Sequence, residues 1–217
     1  MLIIAGALML SDAALTIAWQ EPVSAIYALI VQGRLSDDLR RLELARPSGV
    51  DLAALRSLEG DRTRMAFLAR ALRRSAKRGA AVGRIKIARI GVDSVIVDGT
   101  DKASLRKGPG IYDEAPFPGA PGTVAIAGHR TTYLAPFRRV DKLRPGNEIV
   151  VEMPYGRFVY RVQQTRIVRP SEVSVVRRVG YDRLVLSACH PLYSAAKRII
   201  VFARLQSAQA RGAALSG

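Results

Sequence analysis

From residue 84 onward the chain reads as a series of short strands punctuated by turns, and that pattern narrows the fold more than any other feature. GRIKIARI alternates, with Ile85 and Ile87 on one face, and VDSVIV follows after Gly91. GTVAIAGH, NEIVVEM, GRFVYRV, RLVLSA and RIIVFARL continue the series, separated by Pro-Gly, Arg-Pro-Gly-Asn and Tyr-Gly turns. A short helix is expected over DKASLRKG. Many short strands with few helices predict a mainly β unit, either a closed barrel or a sandwich. Hydrophobic residues make up 49% of the 217 positions, enough to fill a sizeable core.

Two segments of different character precede this unit. Residues 2–19, LIIAGALMLSDAALTIAW, are nearly all apolar and long enough to cross a bilayer, which takes about 20 residues. Asp12 costs about 2.5–3.5 kcal/mol near the centre of such a span, which the surrounding Leu, Ile and Met offset. Trp19 and Tyr27 suit its interfaces. No basic flank precedes the run, so a cleaved signal peptide fits less well than an anchor; a buried helix is the other alternative. The arginines that follow would by charge bias lie inside the cell, but long domains translocate largely regardless of charge. Residues 34–82 read as amphipathic helix broken at Arg46-Pro47-Ser48-Gly49, with Met65, Leu68 and Leu72 on one face. They would either cap the β unit or form a basic stalk on anionic lipid. The expected organisation is a transmembrane anchor over 1–33, a helical basic stalk or linker over 34–82, a β unit over 83–207 and a disordered tail over 208–217.

Net charge is +16, with no lysine or arginine in the first 33 residues. Such a surface favours polyanions: nucleic acid, anionic lipid or an anionic wall polymer. An aromatic content of 6% argues against a nucleic-acid reader, which needs stacking platforms. A single cysteine excludes an intrachain disulfide and the common cysteine-based zinc sites, and two histidines are too few to replace them. No dense acidic cluster suits calcium. No metal or cofactor is expected.

The single cysteine, Cys189, lies in LVLSACHPLYSAAKR, with Arg198 nine positions on. A useful nucleophile is the thiolate, which an unperturbed thiol supplies only sparsely at neutral pH, so an imidazole or cation nearby is needed. His190 adjoins Cys189, and neighbours in a strand point to opposite faces, which makes their pairing awkward. His129 ends the strand TVAIAG, sixty residues before the thiol, and like it stands where a strand opens into a loop. Arg198 can offer a planar fork of hydrogen bonds to an oxyanion or carbonyl. Each also has an ordinary reading, as core filler, surface histidine or strand-end arginine.

The longer words AIAGHRTTYLAPFRRVDKLRPGNEIVV and SACHPLYSAAKRIIVFARL, with GVDSVIVDGTDKASLRKGPGIY upstream, closely resemble the sortases, cysteine transpeptidases of Gram-positive bacteria. The resemblance runs from about Gly83 to Leu205 and is nearest in flavour to the class E enzymes of actinobacteria. It implies an eight-stranded barrel preceded by a helical anchor and stalk, held by the plasma membrane through one pass with the catalytic domain outside. It implies that Cys189 attacks the Thr–Gly carbonyl of an LPXTG- or LAXTG-like sorting signal, that His129 handles protons, and that Arg198 holds the substrate and oxyanion. The partners implied are secreted proteins with C-terminal sorting signals and an acceptor amine on a peptidoglycan precursor or a pilin. A hydrolase of the same thioester chemistry and a catalytically silent, wall-binding barrel are the competing readings. One departure stands out: the family reads Thr-Leu-x-Thr-Cys where this chain has Val185, Leu186, Ser187, Ala188 and Cys189. Ala188 thus lacks a hydroxyl expected beside the thiol, and Ser187 is expected to point elsewhere.

Overall fold

In a computed structural model the described residues are 22–215. Among them the expected strands form as β1 (Ala81–Ile87), β2 (Val92–Asp98), β3 (Gly110–Ile111) and β4 (Thr123–Ala127), followed by β5 (Glu148–Met153), β6 (Gly156–Val168), β7 (Arg183–His190) and β8 (Lys197–Ala210). They close into a barrel in the order β1-β2-β3-β4-β7-β8-β6-β5, so the barrel and not the sandwich is the outcome. Most neighbours are antiparallel, but β4 runs parallel to β7 through five pairs, Thr123↔Arg183 to Ala127↔Ser187. The alternating Ile85, Ile87, Ile126, Ile149, Val151, Phe158, Leu184 and Leu186 are almost wholly buried and fill the centre. The helix expected over DKASLRKG is present at Lys102–Lys107.

The three helices ahead of the barrel are α1 (Pro22–Leu44), α2 (Gly49–Ser57) and α3 (Asp61–Ser75). The break between α1 and α2 falls at Arg46-Pro47, because a residue before proline leaves the helical region. Ser48 then caps α2 by accepting from the Asp51 amide. These helices lie on the barrel. Leu55, Met65, Leu68 and Ala69 join the main core cluster, and Leu35 and Leu39 pack on Ala81, Val95 and Val97. Gln32 makes the fit specific. β3 is only two residues long and leaves the β3-facing edge of β2 open at Val95, whose other edge pairs with Arg84 of β1. Gln32 Nε2 donates to Val95 O (3.2 Å) and its Oε1 accepts from Val95 N (2.7 Å), closing that stretch of open edge.

The other end of the chain departs from expectation. Residues 208–210 continue β8 against β6 as far as Gly156↔Ala210. Gly212–Leu215 then turns back as a 3-10 helix that buries Ala214. The tail expected from 208 is therefore ordered through 215, because its small alanines fit against the β5–β6 turn, where Arg211 N donates to Tyr155 O. Residues 1–21, most of the expected anchor, lie outside the described residues. Among the described residues no helix is long and apolar enough to cross a membrane.

If α2 and α3 belong to the barrel's cooperative unit, Leu55→Ala should cost about 2–5 kcal/mol, the usual penalty for emptying a buried leucine site. Chemical denaturation reads this directly. A midpoint unchanged from the parent would separate the helices from the barrel.

Candidate active site

Cys189 sits one residue from the end of β7, and Arg198 is its direct partner across the antiparallel pair with β8. Opposite residues in such a pair share a face with Cβ atoms about 4.5–5.5 Å apart, so the thiol and the guanidinium stand side by side. Both are half-buried. Arg198 Nη1 donates to the carbonyls of Ala195 and Lys197, each at 3.0 Å. Its Nε and Nη2 have no hydrogen-bond partner among the described residues and are available to an incoming oxygen.

His129 reaches the same place from the parallel neighbour. The last paired residues are Ala127 and Ser187, and Gly128 N donates to Ser187 O at 3.0 Å. Two steps past that pair come His129 and Cys189, and one further come Arg130 and His190, whose side chains touch: Arg130 Nη1 lies 3.3 Å from His190 Nδ1. The strand ends therefore stay in register past their last ladder pair. Alternation then sorts four adjacent residues into two couples. Continued past the strand ends, that alternation would set His129 with Cys189 on the outer face and Arg130 with His190 on the inner one, where the last two are in contact.

Gly128 allows the approach. A Cβ there would lie 2.6 Å from the Phe137 ring, so any side chain would push the following loop off the strand end. That loop is strained. Tyr133, Leu134 and Ala135 all take left-handed φ values of 51°, 61° and 39°, at about 1–2 kcal/mol each. It folds back so that Phe137 N donates to His129 O (3.0 Å) and the Tyr133 ring packs 5.3 Å from the His129 ring. The start of α1 braces the same loop, with Tyr133 N donating to Ser24 Oγ (3.3 Å) and Tyr27 edge-on to Tyr133.

Burial, and secondarily the Arg106 cation, hold the His129 ionisation below its ordinary value. A neutral imidazole is therefore favoured at neutral pH and can accept the proton of a thiol.

The positions expected near the thiol exchange roles. Ala188 pairs with Ile199 and belongs to the buried core cluster, on the face opposite Cys189. A hydroxyl there would point into the barrel. Ser187, not Ala188, shares the face of Cys189, in a row with Ile200 of β8 and Arg166 of β6. The expectation that Ser187 points elsewhere is thus corrected, since the two-residue period counted back from Cys189 puts both on one face; Arg166 and Arg130 were not singled out in the sequence. The site is an open face. A cavity of about 450 Å³ between Leu42, Leu72, Pro154 and Tyr155 lies at the other end of the barrel, away from these residues. Among the described residues no three His, Cys, Asp or Glu side chains gather as a metal site.

Comparison with known proteins identifies the family of the barrel. A family model described as the sortase domain matches residues 85–206. Sortase D of Bacillus subtilis is 32% identical over 130 residues, covering 58% of this chain and 64% of that protein. Sortase SrtE1 of Streptomyces coelicolor is 37% identical over 93 residues, covering 39% of this chain and 26% of that one. The chain thus spans less than two thirds of the length of either. The crystal structure of sortase E1 from Streptomyces coelicolor superposes with a TM-score of 0.58 at 30% identity, covering 61% of this chain and 92% of that one.

A histidine-specific NMR titration tests the electrostatics. His129 should titrate below the ordinary histidine value. Arg106→Gln should move it upward, since removing a cation favours imidazolium, but not all the way, because burial remains. A wild-type midpoint at or above the ordinary value would contradict the assignment.

Proposed function

The chain belongs to the sortase family, and from that premise we propose that it is a cysteine transpeptidase acting on the sorting signals of secreted proteins. The observation that supports the reading is the pairing of Cys189 with Arg198 across β7 and β8, with His129 two residues past the end of β4, the parallel neighbour of β7. The neutral imidazole of His129 takes the thiol proton as Cys189 Sγ attacks the carbonyl carbon of the scissile bond. The unoccupied Nε and Nη2 of Arg198 receive the oxyanion. Collapse of the tetrahedral intermediate breaks the C–N bond, the leaving amine takes the proton from His129, and a thioester remains on Cys189. An amine then attacks the thioester, gives up a proton to His129, and leaves with the acyl group.

The substrate we propose is an LPXTG- or LAXTG-like segment cleaved between Thr and Gly, and the acceptor an amine of the cell wall or of a pilin. A tripeptide occupies the active site of the Streptomyces coelicolor sortase E1 structure, which favours a peptide on the same face here. We also propose attachment to the plasma membrane with the barrel outside. Supporting this, the outer face of α1 begins with exposed Ile26, Leu29 and Ile30 and turns charged from Arg34. The apolar run 2–19 leads directly into that stretch.

Mass spectrometry of the full chain with sorting peptides and a small amine tests the function. An acyl-enzyme and an amine-ligated product are expected, and both vanish in Cys189→Ala and His129→Ala. Release of only the free acid would make the protein a hydrolase. No acyl-enzyme with any peptide would leave a silent barrel. Arg198→Lys keeps the charge but loses the fork, so it should lower turnover by roughly 10²–10³, about 2.7–4 kcal/mol. Full activity in that variant would reduce Arg198 to a point charge.

A further inference from the structure

We propose that Arg130 is the positioning residue of this site, fixing the strand end that carries Cys189 and selecting the tautomer of His190. The proposal rests on the sortase reading for its activity readouts but not for its structural ones. Arg130 is the residue after His129, yet it faces inward and its side chain is only 3% exposed. Nη1 donates to the backbone carbonyl of Cys189 at 3.3 Å and meets His190 Nδ1 at the same distance. Nη2 donates to Arg138 O (3.2 Å) and to Asp141 Oδ1 (2.8 Å). One guanidinium thus ties the end of β4, the end of β7 and both ends of the strained loop into a single rigid joint, directly behind the nucleophile.

Stability alone does not account for a charge in this place. Its acid partner Asp141 is 37% exposed, and Arg130 Nε is buried with no hydrogen-bond partner. A buried ion pair is seldom better than well-packed apolar residues, and an unpaired buried donor is a net cost. What the guanidinium supplies, and an apolar group cannot, is directed donors. Guanidinium has no acceptor, so the contact at Nδ1 uses the imidazole lone pair and places the His190 proton on Nε2. His190 is then a fixed donor on the inner side of the strand and takes no part in proton transfer at the thiol, which leaves that role to His129. Misplacing a reacting group by about 1 Å costs on the order of 10²-fold in rate, so a joint at the Cys189 carbonyl acts on turnover more than on substrate binding.

The test uses the full chain with isotope-labelled histidine; its two histidines give two ring spin systems, assigned with His190→Gln. In the parent, His190 should show a protonated Nε2 and a bare Nδ1. Arg130→Gln and Arg130→Lys should lose that signature, slow iodoacetamide alkylation of Cys189 at least several-fold, and lower kcat about 10²-fold with KM within two-fold. Lysine, with one point of donation, should not rescue. Asp141→Asn, which keeps Arg130 but removes the charge of its acid partner, should lose a few-fold in alkylation and kcat, and it decides the matter if the Arg130 variants do not fold. An unchanged His190 signature in a folded Arg130 variant overturns the proposal, whether activity survives or falls. So does a parent-like Asp141→Asn when the Arg130 variants fail to fold. If the parent processes no peptide, the transpeptidase reading fails, while the tautomer and alkylation results still decide the role of Arg130.

Discussion

Five parallel pairs between β4 and β7 hold together the end of the barrel that carries Cys189 and His129. Parallel strands cannot be joined by a tight turn, and here the chain leaves β4, builds β5 and β6, and returns before the partner is in place. Because side chains alternate with a period of two, a slip of one residue would set Arg130 beside the thiol and turn His129 inward. The register is pinned from both faces by Ala125, Ile126, Val185 and Leu186, all fully buried, and past its end by the contact of Gly128 with Phe137. The chemistry thus depends less on any one hydrogen bond than on a sheet that has only one register in which its core is covered.

Covering the outer face is partly the work of the β6–β7 connection. Arg183 Nη2 donates to Val175 O and Arg177 O, and its guanidinium lies 5.1 Å from the centre of the Phe202 ring. Thr123 Oγ1 donates to the same Arg177 carbonyl. These anchors fasten the connection over the first residues of β4 and β7. Several arginines of this basic chain therefore hold backbone carbonyls and do not simply solvate the surface.

The strands were legible because alternation survives in a barrel with one covered face. His129, Cys189 and Arg198 could be put forward from sequence because three chemically apt residues recur in long words shared with a known family. The helices were harder. Leu35, Leu39, Met65 and Leu68 form the same apolar stripe whether it meets a barrel or a lipid surface, and sequence carries no sign of which. Gln32 looks like any exposed helix polar residue until the open edge at Val95 is seen. The final residues, poor in large side chains, read as a tail because alanine buried in a small gap leaves no pattern. Arg130 was hidden for a related reason. Arginine is usually a surface residue, and its inward direction emerges only once β4 and β7 are laid side by side.

The two ends of the described chain sit at opposite poles. α1 starts against Tyr133, whose ring packs on His129, whereas the last turn docks beside Tyr155, where β6 begins. β6 runs 13 residues from there to Val168 opposite Arg198, about 40 Å of strand. For anyone who wishes to graft this protein onto a bead, an electrode or a second protein, the pole beside Tyr155 is the handle. Cargo attached there stands a full barrel length from Cys189, whereas a load placed beside Ser24 would crowd the loop that packs on His129.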